Sequence, residues 1–234
     1  MPIMKPLQVL EWIAPRRCVG CGIPMSLGGK NEYPLCAACE SGLIRISRPR
    51  CERCGKELIS ERGICWECRQ AAHACARVLP LFRYRGFEAE LIRIYKMGRR
   101  HSLAPLFARL LAFEIRESLA GWTIVPVPPR REKIVSGEMD QVECLARALE
   151  REGFTVRRLL VRNSKVQQKR LSRKARMENA SAAYAIDPHS AGSCPERAIL
   201  IDDVYTTGAT LDACASALLS AGTTEVAAVV LAAD

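Results

Sequence analysis

Four Cys-x2-Cys knuckles crowd the first third of the chain: Cys18/Cys21, Cys36/Cys39, Cys51/Cys54 and Cys65/Cys68, separated by fourteen, eleven and ten residues. A two-residue spacer lets both thiolates of a turn reach one ion, and two such turns complete a tetrahedron. Gly20, Gly22 and Gly55 beside the cysteines relax the backbone so that amides can point at sulfur. This pattern suits two structural zinc ions, because four thiolates leave no open position for water. Sequential pairing would join Cys18, Cys21, Cys36 and Cys39 at one ion and Cys51, Cys54, Cys65 and Cys68 at the other. An interleaved cross-brace is the alternative, and disulfides or an iron–sulfur cluster are competing uses of the same spacing. A segment this short and poor in aromatic residues needs metal to fold.

Twelve cysteines also bear on compartment. Met1 to Pro15 carries one Lys before Leu7-Gln8-Val9-Leu10, too short and interrupted for a signal peptide. No segment reaches the apolar length of a membrane span, so no membrane insertion is expected. The expected location is cytoplasmic, where thiols stay reduced and paired cysteines argue for metal. Cys144 and Cys214 fall on apolar faces of predicted helices and read as core. His73 follows Cys68 closely enough to be weighed as a substitute ligand, whereas His101 and His189 have no ligand spacing. The formal net charge of +10 counts the cysteines as neutral thiols. Each zinc centre with four thiolates carries about −2, so the balance stays basic, as suits nucleic acid, phosphorylated ligands or plain solubility.

Behind the knuckles the hydrophobic pattern changes. Leu7, Leu10, Trp12 and Ile13 suggest a short helix at the start. Strands are predicted over Val78–Tyr84, Thr123–Val127, Thr155–Val161, Ala198–Ile201 and Val226–Leu231. Helices are predicted over Phe87–Lys96, over Leu103–Leu119 with an early interruption at Pro105, and over Gln141–Arg151. Strands alternating with helices indicate an α/β fold: an open, mainly parallel sheet with helices on both faces, preceded by a small Cys-rich double zinc ribbon. The expected division is residues 1–75 for the ribbon with its short helix and 76–234 for the α/β part. Ligands of such sheets sit beyond the carboxyl ends of the strands, where Asp202 and the Pro126–Arg131 turn would meet.

One stretch there is chemically explicit. The apolar run Ala198–Ile201 is closed by Asp202 and Asp203, then by Thr206-Thr207-Gly208-Ala209-Thr210, then by a helical pattern on Leu211, Ala215, Leu218 and Leu219. Gly208 permits close backbone approach, threonine hydroxyls can donate to phosphate oxygens, and a helix start adds free amides. Paired carboxylates can accept hydrogen bonds from vicinal sugar hydroxyls. The run resembles the 5-phosphoribosyl-1-pyrophosphate (PRPP) motif of type I phosphoribosyltransferases. That resemblance implies that Asp202 and Asp203 hold the ribose and that Thr206, Thr207, Gly208, Ala209 and Thr210 hold the 5-phosphate. A strand-turn-helix with an acidic pair capping the helix or binding a metal is the bland reading.

The order of parts resembles the ComF family over nearly the whole chain. Tyr84-Arg85-Gly86 and Lys96-Met97-Gly98 match that family's Tyr-x-Gly and Lys-x-Gly segments. The turn at Val125–Pro128 stands at the place of its pyrophosphate loop, which assigns Val127, Pro128, Arg130 and Arg131 to pyrophosphate or Mg²⁺-pyrophosphate contact. Gln168, Leu171, Arg176, Asn179, Ala183 and Tyr184 resemble its flap sequence. The chain departs from the family at Met139, where an aromatic is usual before Asp140-Gln141, at Lys165 in place of threonine, and at Tyr184 in place of phenylalanine. The family's properties imply a phosphoribosyltransferase-like sheet, two zinc ions, Mg²⁺ accompanying PRPP or a related phosphosugar, and a role with single-stranded DNA and competence-machinery proteins during natural transformation. Two functions fit. One is a binding protein for that DNA. The other is an active phosphoribosyltransferase, with Asp202 and Asp203 stabilising positive charge at the ribose while pyrophosphate is displaced by an unnamed acceptor.

Overall fold

The computed structural model describes residues 16–25, 33–97, 100–129, 140–162, 183–190 and 192–234. The predicted helix around Leu7–Ile13 lies outside them, as do Arg130, Arg131, Met139, Lys165, Gln168, Leu171, Arg176 and Asn179.

Within each knuckle region the second Cys-x2-Cys opens a single helical turn, α1 (Ala37–Ser41) after Cys36 and α2 (Trp66–Gln70) after Cys65. The chain then enters strand β1 (Arg77–Arg83), helix α3 (Gly86–Met97) and helix α4 (Ala104–Ser118). There follow β2 (Thr123–Pro126), α5 (Gln141–Arg151), the short pair β3 (Leu160–Arg162) and β4 (Tyr184–Ile186), β5 (Arg197–Tyr205), α6 (Ala209–Ser220) and β6 (Glu225–Ala233). β1, β6, β5 and β2 form one sheet in that order, every neighbouring pair parallel. Pro80, which has no N–H to donate, lies in β1 at the sheet's edge, where a ladder tolerates it.

The central strands are apolar on both sides, as a covered parallel sheet requires. Successive residues point to opposite faces. Ile124, Ile199, Ile201, Ala227, Val229 and Leu231 join one core, with α3, α4 and α5 packed over it. Val125, Ala198, Leu200, Val226, Ala228 and Val230 join the other, covered by α6 and by Leu160 and Tyr184 of the β3–β4 pair. The expected parallel sheet with helices on both faces is therefore present. The ribbon divides between the same two cores: Cys18, Met25, Tyr33 and Leu35 belong to the first, Cys51, Cys54, Leu58, Cys65 and Cys68 to the second. Both halves are tied to the edge strand, Ile46 N–H donating to Leu81 O (2.9 Å) and Val78 N–H to Arg53 O (2.6 Å).

Three element boundaries differ from expectation. Thr155–Val161 is not a strand; Val156 makes one isolated parallel bridge to Ile124, and only Leu160–Arg162 is extended, antiparallel to β4. Arg157 N–H donates to Ile124 O, and the chain then leaves the sheet, burying Leu159 and Leu160 in the second core as it enters the hairpin with β4. Pro105 does not interrupt α4; it stands in its first turn, where a missing N–H costs nothing, behind a 3-10 turn at His101–Leu103. β5 runs past Ile201 to Tyr205, so Asp202 and Asp203 lie within the strand, with Asp202, Val204 and Tyr205 in register with β6. Among the described residues no helix is long and apolar enough to cross a membrane.

Candidate functional site

The eight knuckle cysteines assemble into two groups, Cys18/Cys21/Cys36/Cys39 and Cys51/Cys54/Cys65/Cys68, each with all four sulfurs within 4.8 Å of one another. The pairing is sequential. Within them Cys21–Cys36 and Cys54–Cys65 stand 3.7 Å apart, sulfur to sulfur. A Zn–S bond of about 2.3 Å sets tetrahedral sulfurs about 3.8 Å apart, whereas a disulfide needs about 2.05 Å. Backbone amides point at sulfur, Cys36 N–H to Cys18 Sγ at 3.2 Å and Cys65 N–H to Cys51 Sγ at 3.3 Å. Burial pushes both thiols up, but such amides outweigh it and hold Cys18 at about 6 and Cys51 at about 7. The residues therefore fit two zinc centres of structural type, each with four cysteine ligands. His73 is not a substitute ligand: its Nδ1 meets Asp212 Oδ2 at 3.0 Å.

A second site opens at the carboxyl end of the sheet. A cavity of about 720 Å³ is lined by Asp202, Asp203, Thr206 and Thr210 from the β5–α6 segment, Val127 and Pro128 beyond β2, and Asp140 and Gln141 at the start of α5. Parallel pairing of β2 with β5 brings these segments side by side, Val127 N–H donating to Ile201 O at 3.1 Å. The turn between β5 and α6 depends on Gly208, whose φ of 78° is left-handed. A Cβ there would sit 2.9 Å from the Tyr205 ring, so the position is closed to side chains. Thr207 Oγ1 accepts from Ala209 N–H at 3.5 Å, while Thr206 and Thr210 face the cavity. Arg130 and Arg131, expected beside Val127 and Pro128, lie outside the described residues.

The carboxylates are held from behind. Asp202 Oδ1 accepts from Asp203 N–H at 2.8 Å, and Asp203 Oδ1 from Val204 N–H at 2.7 Å. Burial pushes the Asp202 carboxyl up to about 7, with the neighbouring Asp203 charge adding to the rise against the pull of Lys96. Lys96 Nζ lies 2.8 Å from Asp203 Oδ2. Lys96 belongs to the Lys-x-Gly segment, but the sequence pattern gives it no role. Its backbone is fixed by Gln141, whose Nε2 donates to Lys96 O at 2.6 Å, while the buried Tyr95 hydroxyl donates to Gln141 O at 2.6 Å. Asp140 caps α5, accepting from Val142 and Glu143 N–H. Asp140 and Gln141 thus serve the frame of the cavity as well as its lining. At the far wall Arg162 lies over the Tyr184 ring at 5.3 Å and donates to its hydroxyl at 3.3 Å.

One further contact is invisible in the sequence pattern. Asp212, in the first turn of α6, accepts from Ala74 N–H at 2.9 Å and pairs with His73. The segment leaving the second zinc centre is thereby pinned to the helix that begins after Gly208. No local periodicity links positions so far apart in the chain.

A double zinc ribbon domain model matches residues 9–69. Competence protein ComFC of Streptococcus pneumoniae is 28% identical over 90% of this chain and 96% of its own length. The chain is a homologue of the ComF proteins. The DNA utilization protein YhgH of Escherichia coli K12 is 26% identical over 89% of this chain and 92% of its own. Competence protein F of Haemophilus influenzae is 26% identical over 90% and 93%. In this ComF homologue the ribbon match covers both four-cysteine groups, and the relatives extend through the cavity as well. Among solved structures, the allosteric regulatory enzyme of purine biosynthesis is 20% identical with a TM-score of 0.38, covering 56% of this chain and 25% of that one. The hypoxanthine phosphoribosyl transferase of Trypanosoma cruzi is 14% identical with a TM-score of 0.35, covering 57% of this chain and 64% of that one.

Proposed function

We propose that the chain is a cytoplasmic ComF-type protein that binds PRPP, or a related phosphosugar accompanied by Mg²⁺, and that it assists the handling of single-stranded DNA during natural transformation. One observation carries the phosphosugar assignment: a single cavity is lined by two adjacent carboxylates, by Thr206 and Thr210 at a helix start, and by the Val127–Pro128 turn. Carboxylates suit vicinal hydroxyls, the Gly208 turn and the amides of α6 suit the 5-phosphate, and the β2 turn suits pyrophosphate. Thr207 and Ala209 complete the Gly208 turn, and Arg130 and Arg131 are assigned to the pyrophosphate side. Residues 1–75 would supply the zinc-bound docking part and 76–234 the ligand-binding part. The competence and DNA-utilization names of the relatives, with the net charge of +10, support DNA and competence-machinery proteins as partners.

The test is thermal. PRPP with Mg²⁺ at about 100 times its Kd stabilises a specific binder by about 2.7 kcal/mol, which appears as a raised Tm. No shift with PRPP at millimolar concentration would reject the assignment. A transferase reading has its own support in the same cavity, where the adjacent Asp202 and Asp203 stand beside the Val127–Pro128 turn, a placement suited to stabilising positive charge at the ribose as pyrophosphate leaves. Release of pyrophosphate from PRPP across a panel of acceptors is its measurement.

A further inference from the structure

Two described cationic side chains line the cavity, Lys96 and Arg162. Arg162 is engaged with Tyr184 through its ring face and hydroxyl. Lys96 is differently placed. Its ammonium stands at the carboxylate pair, 2.8 Å from Asp203 Oδ2, with the side chain still 32% exposed to the cavity side of the molecule. An ammonium has three donors, and one contact to Asp203 leaves two. Gln141 Nε2 holds the Lys96 carbonyl, Tyr95 holds the Gln141 carbonyl from a fully buried position, and Gln141 opens a capped helix. These contacts fix the end of α3 against the cavity mouth.

A bare surface ion pair would not need such a frame, since exposed pairs contribute little to stability. The Val127–Pro128 turn follows β2, the strand next to β5, so the ammonium shares one cavity with both the carboxylates and the segment assigned to pyrophosphate. From this arrangement we propose that Lys96 is a binding residue for the pyrophosphate arm of the ligand, tied in place by Asp203 and using its remaining donors on phosphate oxygens. The inference rests on the phosphosugar reading. It assigns the discrimination between a 1-pyrophosphorylated ribose and a plain ribose 5-phosphate to a side chain on α3, outside both the β5–α6 turn and the β2 turn.

The experiment compares PRPP with ribose 5-phosphate, each with Mg²⁺, on the full zinc-loaded chain and its Lys96→Met and Lys96→Arg variants. Loss of a charge-assisted contact predicts PRPP affinity about 10-fold or more weaker in Lys96→Met. Ribose 5-phosphate affinity should stay within about 2-fold, and Lys96→Arg should recover most of the PRPP affinity because the charge is retained. Equal loss of both ligands in a Lys96→Met protein with unchanged Tm, or unchanged PRPP affinity, would overturn the proposal. If the unsubstituted chain bound ribose 5-phosphate but not PRPP, only the pyrophosphate assignment would fall. If it bound neither, the phosphosugar reading would fall first and this inference with it.

Discussion

At the scale of single residues, Asp202 concentrates the chemistry. Its carboxyl is raised to about 7 by burial and by the adjacent Asp203 charge, against an ordinary value of about 4. In the folded chain it keeps its proton over a pH range where the unfolded chain has lost it. The stability it contributes is fully present below about pH 4 and lost as pH rises through about 7. Asp202→Asn keeps the acceptor for Asp203 N–H and removes the charge, so the ligand-free variant should be more stable than the parent at pH 8, by on the order of 1 kcal/mol, and closely matched at about pH 4. Urea titrations at both pH values measure this, and an Asn variant less stable at the higher pH would contradict it. The two carboxylates and the threonines are legible in the sequence because they follow one strand in unbroken order. Lys96 is legible as part of a motif but not as a neighbour of Asp203, because most of the α/β part of the chain separates them and only the sheet order brings them together.

Elements follow local pattern where the pattern is strong. Gln141–Arg151 is helical with the expected bounds, since Asp140 supplies the cap and Val142, Leu145, Ala146 and Leu149 supply one apolar stripe. The sheet strands with continuous apolar runs also appear where their composition puts them. β5 overruns its apolar core because Asp202 and Asp203 keep strand geometry, the strand pairing with β6 as far as Tyr205, a tertiary effect no propensity encodes. Thr155–Val161 has strand composition but makes one bridge, to Ile124, because the chain leaves the sheet directly afterwards to pair with β4. Sequential zinc pairing is undetermined by spacing alone and follows from the two halves packing on opposite faces of the sheet. The pin between the second ribbon and α6 gives a test at this scale. Asp212→Ala removes the acceptor for Ala74 N–H and the partner of His73, a loss of about 1–3 kcal/mol locally. Hydrogen exchange should speed up at 73–76 and at the start of α6 while residues 33–46 are unaffected; equal protection in both proteins would refute the pin.

For the whole molecule, two metal centres of unequal burial are built into two cores. All four cysteines of the second are buried, whereas in the first Cys21 is exposed and Cys36 and Cys39 are half-buried. A chelator should therefore remove two zinc ions per chain in two phases, the fast one from the first centre, and Cys21→Ser should abolish the fast phase alone. Release in one phase would contradict the inequality. The second centre shares its core with Tyr205, Leu211 and Cys214 around the β5–α6 turn, so its loss should weaken ligand binding as well as stability. Ligand binding at that turn is the central claim, and isothermal titration of the zinc-loaded chain with PRPP and Mg²⁺, beside an Asp202→Asn/Asp203→Asn variant, tests it most directly. Saturable binding to the parent at about one site per chain, abolished in a variant that still unfolds cooperatively, is the predicted result. Equal affinity in both proteins, or no heat from the parent, would contradict it.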